Sequence, residues 1–190
     1  ELGMHLALGD VRPLNGDVNG NAVLSKFSLH AVCKFDLTIP GREERGCLRT
    51  DVHLPDNHVV HLFNVHLGTS FFERRRQAEK LLDSELIRCG YPRVVIGDFN
   101  EWSHGLVSRS RARSLRAPTY ACISTESVRI PACFLFSTSI IFIMTKDSTE
   151  RVALHKTRTS LIASDHLPLF ADFQLSDKLK SDARSSRHSK

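Results

Sequence analysis

The sequence predicts an α/β sandwich in which strands outnumber helices. Three observations carry this reading. Short apolar or alternating runs bounded by turn residues recur along the chain. One segment, 70–90, has clear helical periodicity. The strands do not alternate regularly with helices, as a doubly wound sheet would demand. At 190 residues, 41% hydrophobic and 25% charged, the chain has the size and composition of one globular domain with a substantial core.

Taken in order, "NAVLSKFSL" (21–29) reads as a strand rich in apolar residues. "CLRTDVHL" (47–54) alternates as a half-buried strand should, "DN" at 56–57 is a turn signal, and "HVVHLFNVHL" (58–67) returns as the partner of an antiparallel hairpin. The helix over 70–90 opens with an S-x-x-E capping box, Ser70 and Glu73, whose side chains can satisfy orphan amide donors. Phe71, Ala78, Leu81, Leu82 and Leu86 supply its apolar stripe, "ERRR" (73–76) its solvated face, and Gly90 its stop. "RVVIGDF" (93–99) is a buried strand ending at Gly97, after which the two-residue alternation sends Asp98 and Asn100 one way and Phe99 towards packing.

"SHGLVSRSRARSLR" (103–116) holds four Arg and no acid on a short helix and loop. The uncharged stretch 130–144 has 15 residues, short of the roughly 20 that cross a bilayer, and reads as buried strands. "RVALHKTRTSL" (151–161) is a further strand, and "SDHLPLFADFQL" (164–175) places a loop before a final alternating strand.

The net charge of +5 is partly local, because residues 176–190 carry five Lys or Arg against two Asp and read as a basic disordered tail after a domain at 1–175. A basic excess fits phosphate-bearing partners and solubility equally. Five cysteines, an odd count with no C-x-x-C spacing, suggest neither a disulfide framework nor a zinc knuckle, and a reducing, cytoplasmic setting is the default expectation.

Three sites share one local grammar, an apolar strand delivering a polar side chain at its end: His66 in "FNVHLG", Asp98 with Asn100 in "GDFN", and Asp165 with His166 in "SDHLP". Singly, each has a bland reading. A strand-end His is commonly a satisfied surface or core residue, "GDFN" can be a turn bonding its own backbone, and "SDH" can be a cap. In this order, with "GNAVLS" before and "ERRRQAEKL" between, they resemble the successive motifs of the endonuclease/exonuclease/phosphatase superfamily, the deoxyribonuclease I-like fold, from about Gly3 to Leu175.

The resemblance implies a four-layer α/β/β/α sandwich of two mostly antiparallel sheets flanked by helices, and a metal-dependent phosphoesterase, a phosphodiesterase or nuclease in kind. Phosphate oxygens repel a nucleophile, and a divalent cation neutralises that charge. Mg²⁺ or Mn²⁺ is the implied cofactor, since hard ions prefer the oxygens of Asp98, Asn100 and Asp165 to thiolates. By resemblance, Asp98 orients or deprotonates the attacking water, Asn100 holds phosphate or metal, and Asp165 is a metal ligand. His166 contacts phosphate oxygens, His66 is a phosphate binder or general acid, and Asn21 borders the site as a substrate-binding residue or a simple strand start. Imidazoles suit such roles because they titrate near neutral pH. The implied partner is a phosphate-ester substrate, nucleic acid among the classes, met by a monomer without a membrane span.

The chain departs from the family pattern twice. The leading strand with its metal-binding Glu finds no match between Glu1 and Gly20, so an N-terminally incomplete domain is expected. Where relatives carry an "LDRI"-like strand, "FSTSIIFIM" puts Ser139 near the place of the Asp that pairs with the last His. Loss of a triad-type orienting acid lowers rates by about 10⁴, and loss of a carboxylate behind a metal ligand by about 10- to 100-fold. The competing expectation is therefore a catalytically impaired member that at most binds phosphate-rich ligands.

Overall fold

The computed structural model describes residues 2–9, 12–14, 17–83, 92–100, 120–122, 142–144, 149–163 and 168–173. In chain order these form β1 (His5–Leu8), β2 (Arg12–Leu14), β3 (Asp17–Asn19), β4 (Ala22–Ser25), β5 (Ser28–Asp36), β6 (Gly46–His53), β7 (Val59–His66), α1 (Phe71–Asp83), β8 (Arg93–Asp98), β9 (Tyr120–Cys122), β10 (Phe142–Met144), β11 (Thr149–Leu154), α2 (Arg158–Ala163) and β12 (Leu169–Phe173).

A six-stranded sheet in the order β5-β6-β7-β8-β10-β9 is the frame, with antiparallel pairs β1-β4, β2-β3 and β11-β12 beside it. Within the frame every pairing is antiparallel except β7 with β8, which run parallel. A parallel pair needs a crossover, and α1 lies in it.

Strand alternation separates the two faces of the frame. One buries Cys47, Phe63, Val65 and Val95 with Leu37, Leu67, Phe99 and Leu81 of α1. The other meets two smaller clusters. Leu48, with Leu29 and Leu62, packs on Ala7 of β1 and Val23 of β4, while Val60 and Val94, with Leu62 and Ile96, pack on Ala171 of β12. Helix, sheet and sheet are thus stacked, and the two mostly antiparallel sheets of the expected sandwich are present.

The predicted 47–54/58–67 hairpin is β6-β7, in register from Cys47↔Val65 to His53↔Val59. Its turn closes through Leu54 N–H to His58 O at 2.8 Å, with Asn57 at a φ of 63°. That left-handed conformation is one Asn tolerates.

Three expectations need correction. The strand expected over 21–29 is two, because Ser25 Oγ accepts the Phe27 N–H at 2.9 Å and turns the chain at 26–27. The strand expected over 151–161 stops at Leu154, and α2 follows. The Ser160 N–H donates to Thr157 Oγ1 at 3.1 Å and the Thr157 N–H to Ser160 Oγ at 2.9 Å, a reciprocal cap that "HKTRTSL" conceals among basic residues.

The third correction concerns α1. Its inward side is Glu73, Arg74, Gln77 and Leu81, while Phe71 and Phe72 are exposed and only Arg75 and Arg76 of "ERRR" face water. The buried polar groups have work on the turn that leads into the helix, as the site makes clear.

The helix end at 84–90, the basic segment 103–116, most of 130–144 and the tail 176–190 lie outside the described residues. Among the described residues, no helix is long and apolar enough to cross a membrane.

Candidate functional site

The parallel register of β7 and β8 runs from His61↔Arg93 through Val65↔Gly97 to His66↔Asp98, so the last residues of both strands stand side by side. His66 Nε2 lies 3.7 Å from Asp98 Oδ2. That separation exceeds a direct hydrogen bond and is one that a single water can span. The His66 side chain is about two-fifths exposed and Asp98 about one-fifth.

Gly97 makes the juxtaposition possible. Its φ of 138° is closed to residues with a side chain, and a Cβ there would lie 2.8 Å from both the carbonyl carbon and the amide nitrogen of Val65, and nearer still to its oxygen. The backbone of β8 can therefore press against β7 one residue before both functional side chains.

Asn100 reaches the site by a turn rather than by strand alternation. The strand ends at Asp98, whose Oδ1 accepts the Asn100 N–H at 2.8 Å in an Asx turn, and Asn100 takes a φ of 49°. Its Nδ2 donates to Leu67 O at 2.8 Å, and the Leu67 N–H donates to Asp98 O at 2.9 Å. The two loops leaving β7 and β8 are thus laced together. Phe99 is buried in the α1-side core, as the sequence reading expected.

The β7-α1 turn is held by the polar side of α1. Gln77, fully buried, accepts the Gly68 N–H at 2.8 Å and donates Nε2 to Glu73 Oε1 at 3.1 Å. Arg74 Nη1 donates to the carbonyls of Thr69 and Gly68. A loop taken into the interior must have its backbone groups satisfied, which is why polar residues occupy the inward face. Gln77 is a positioning residue that sequence reasoning missed, since its helical stripe was sought among apolar residues.

Asn21 sits at the opposite edge of this end. Its Nδ2 donates to Gly46 O at 3.0 Å and Asn64 O at 3.2 Å, and Asn64 Nδ2 donates to Ala22 O at 2.9 Å. These bonds tie β4 across to β6 and β7. Asn21 therefore anchors the second sheet two residues short of His66.

Arg45, just before β6, was also missed, and nothing local distinguishes it among 26 Lys and Arg. Its Nη1 is 3.3 Å from His66 Nδ1 and 3.1 Å from Nε2, and its Nη2 donates to Glu43 Oε2 at 2.8 Å. Asp165 and His166 lie outside the described residues. The structure thus brings together His66, Asp98 and Asn100, with Arg45 added and Asn21 alongside.

Asp98 and Asn100 offer hard oxygen donors of the kind that Mg²⁺ or Mn²⁺ prefers. Among the described residues no group of three or more His, Cys, Asp or Glu could hold an ion. A cation bound there would take one carboxylate and one amide oxygen from the described residues and leave the other positions to water and substrate, a habit typical of Mg²⁺.

The model of the Endonuclease/Exonuclease/phosphatase family matches residues 3–167. The chain belongs to this family. A curated relative is the uncharacterized protein YbhP of Escherichia coli strain K12, 30% identical over 172 residues, covering 83% of this chain and 63% of YbhP. The chain therefore spans less than two thirds of the relative it matches.

Among solved structures, the family member shares its fold with an endonuclease/exonuclease/phosphatase from Beutenbergia cavernae, with a TM-score of 0.69 at 20% identity over 90% of this chain and 54% of that one. Zebrafish TDP2, solved with a single-strand DNA product, has a TM-score of 0.60 at 16% identity over 92% of this chain and 78% of that one. At such identities the likeness is one of fold, and it establishes the deoxyribonuclease I-like sandwich.

Proposed function

We propose that this chain is a metal-dependent phosphoesterase that hydrolyses a phosphodiester by in-line attack of water. The observation that carries the reading is the 3.7 Å gap between Asp98 Oδ2 and His66 Nε2 at the paired ends of β7 and β8. A carboxylate and an imidazole at this spacing can share one water between them. Asp98 accepts a proton from that water as its oxygen attacks phosphorus, and His66 neutralises or protonates the oxygens that gain charge.

Asn100 is held by two hydrogen bonds, with its amide nitrogen on Leu67 O, which leaves the amide oxygen as its acceptor. By motif, Asp165 completes the oxygen donor set and His166 contacts phosphate. Bound Mg²⁺ or Mn²⁺ would be held by Asp98, Asn100 and Asp165, and would supply charge neutralisation at the phosphate.

The test is hydrolysis of bis-p-nitrophenyl phosphate and of DNA by the purified chain, each with Mg²⁺ and with EDTA. Asp98→Ala is expected to lower a metal-dependent rate by at least about 10²-fold, within the range for removing a general base, and His66→Ala by a comparable factor. Metal-dependent turnover that survives both substitutions unchanged would refute the assignment. Phosphate binding without any turnover would instead support the impaired member that the unmatched Glu and Asp suggest.

A further inference from the structure

Arg45 stands where none of the family motifs quoted above falls. Its backbone is fixed by reciprocal contacts with the end of β5: the Leu37 N–H donates to Arg45 O at 2.9 Å, and the Arg45 N–H to Thr38 Oγ1 at 3.1 Å. Its side chain is nine-tenths buried, whereas that of Glu43, which pairs with it, is 69% exposed.

Nη1 lies within 3.3 Å of both ring nitrogens of His66. It cannot do so in the ring plane, where Cε1 stands between them, so the guanidinium nitrogen lies over the imidazole face. The flat, weakly hydrated guanidinium suits such a face-on contact. Nε is buried with no hydrogen-bond partner.

Resting on the reading of His66 and Asp98 as a phosphoester site, we propose that Arg45 is a substrate-binding residue that takes the non-bridging oxygens of the phosphate group, with Glu43 as an internal competitor for its fork. Three features converge. The cation adjoins the imidazole that faces Asp98. The oxygen of Glu43 already occupies one prong of the fork at 2.8 Å, which marks where an anionic oxygen binds. The carboxylate that supplies it is solvent-exposed and can swing away as phosphate arrives. A planar fork with two adjacent donors matches a phosphate face bidentately, which an ammonium cannot reproduce.

The test is binding of inorganic phosphate to the full 190-residue chain, followed by titration calorimetry at fixed ionic strength and independent of turnover. Arg45→Ala is expected to weaken phosphate binding about 10- to 100-fold, the loss expected for charge-assisted hydrogen bonds. Arg45→Lys should recover only part of this, and Glu43→Gln should tighten binding and lower KM.

Arg76→Ala, an exposed cation on α1, should leave binding unchanged. If Arg45→Ala and Arg45→Lys keep native circular dichroism and bind phosphate as the parent does, or if Glu43→Gln weakens binding, the assignment of Arg45 fails while the site stands. If Arg76→Ala weakens binding as much as Arg45→Ala, the effect is one of overall charge and the assignment fails likewise. If the parent chain neither binds phosphate nor hydrolyses an ester, the phosphoester reading itself falls, and Arg45 with it.

Discussion

Replacing Gly97 by Ala should damage fold and site together. A Cβ there would lie 2.8 Å from the carbonyl carbon and amide nitrogen of Val65. Carbon contacts relax near 3.5–4.0 Å, so β8 must move on the order of 1 Å away from β7. The backbone at a φ of 138° adds strain of about 1–3 kcal/mol for any residue with a side chain. Loosening one or two ladder bonds adds about 1 kcal/mol each. The sum of about 2–5 kcal/mol is a large part of a typical stability of about 5–15 kcal/mol. For a domain of this size it lowers Tm by about 4–20 °C.

The matched control is Gly41→Ala. Gly41 also has a positive φ, 74°, yet an added Cβ meets nothing within 4 Å, so only the strain of about 1–2 kcal/mol remains. Urea midpoints at unchanged m-value measure both. Hydrolysis of bis-p-nitrophenyl phosphate, read at a temperature where the variant is folded, should fall by about 10², since a 1 Å misplacement separates His66 from Asp98. A Gly97→Ala protein as stable as Gly41→Ala and equally active would refute the packing argument.

Gln77→Leu keeps the volume but strips the acceptor from the buried Gly68 N–H and the donor from Glu73; it should lower stability by about 1–3 kcal/mol, read from the urea midpoint. Asn100→Ala loses the bond to Leu67 O at 2.8 Å and puts Ala at a φ of 49°; a loss of about 2–3 kcal/mol is expected in the same assay. Burial pushes the Cys47 thiol from 9.0 up to about 12, so the unfolded chain releases this proton first. The stability this thiol contributes is complete below pH 9 and is lost between about pH 9 and about pH 12. Relative to Cys47→Ala, the parent should lose roughly 2–3 kcal/mol between pH 8 and pH 11, checked by paired urea titrations. At pH 8 a thiol reagent should modify exposed Cys33 and leave Cys47 untouched.

What could be read from the sequence divides along a physical line. The β6-β7 hairpin and the core position of Phe99 were legible because alternation and turn residues are local signals. The parallel pairing that sets His66 beside Asp98 was not, and only the family resemblance put both residues in one site. The inward side of α1 was not legible. Periodicity assigns apolar residues to the core, whereas this helix turns Glu73, Arg74 and Gln77 inward to satisfy the backbone of the β7-α1 turn, a demand created by tertiary burial alone.

The same holds for GDFN. Strand alternation and an Asx turn both bring Asp98 and Asn100 together, and only the φ of 49° at Asn100 decides between them. The decision has chemical weight. The turn commits the Asn100 side-chain amide to Leu67 O, 33 residues away. The motif is therefore a lock between the β7 and β8 ends as well as a donor of functional groups. Arg45 completes the contrast, since its place over His66 depends on the β5-β6 connection and leaves no trace in local spacing. The candidate site residues His66, Asp98 and Asn100 announce themselves by type and order, while Gln77 and Arg45 beside them are found only through the partners that folding gives them.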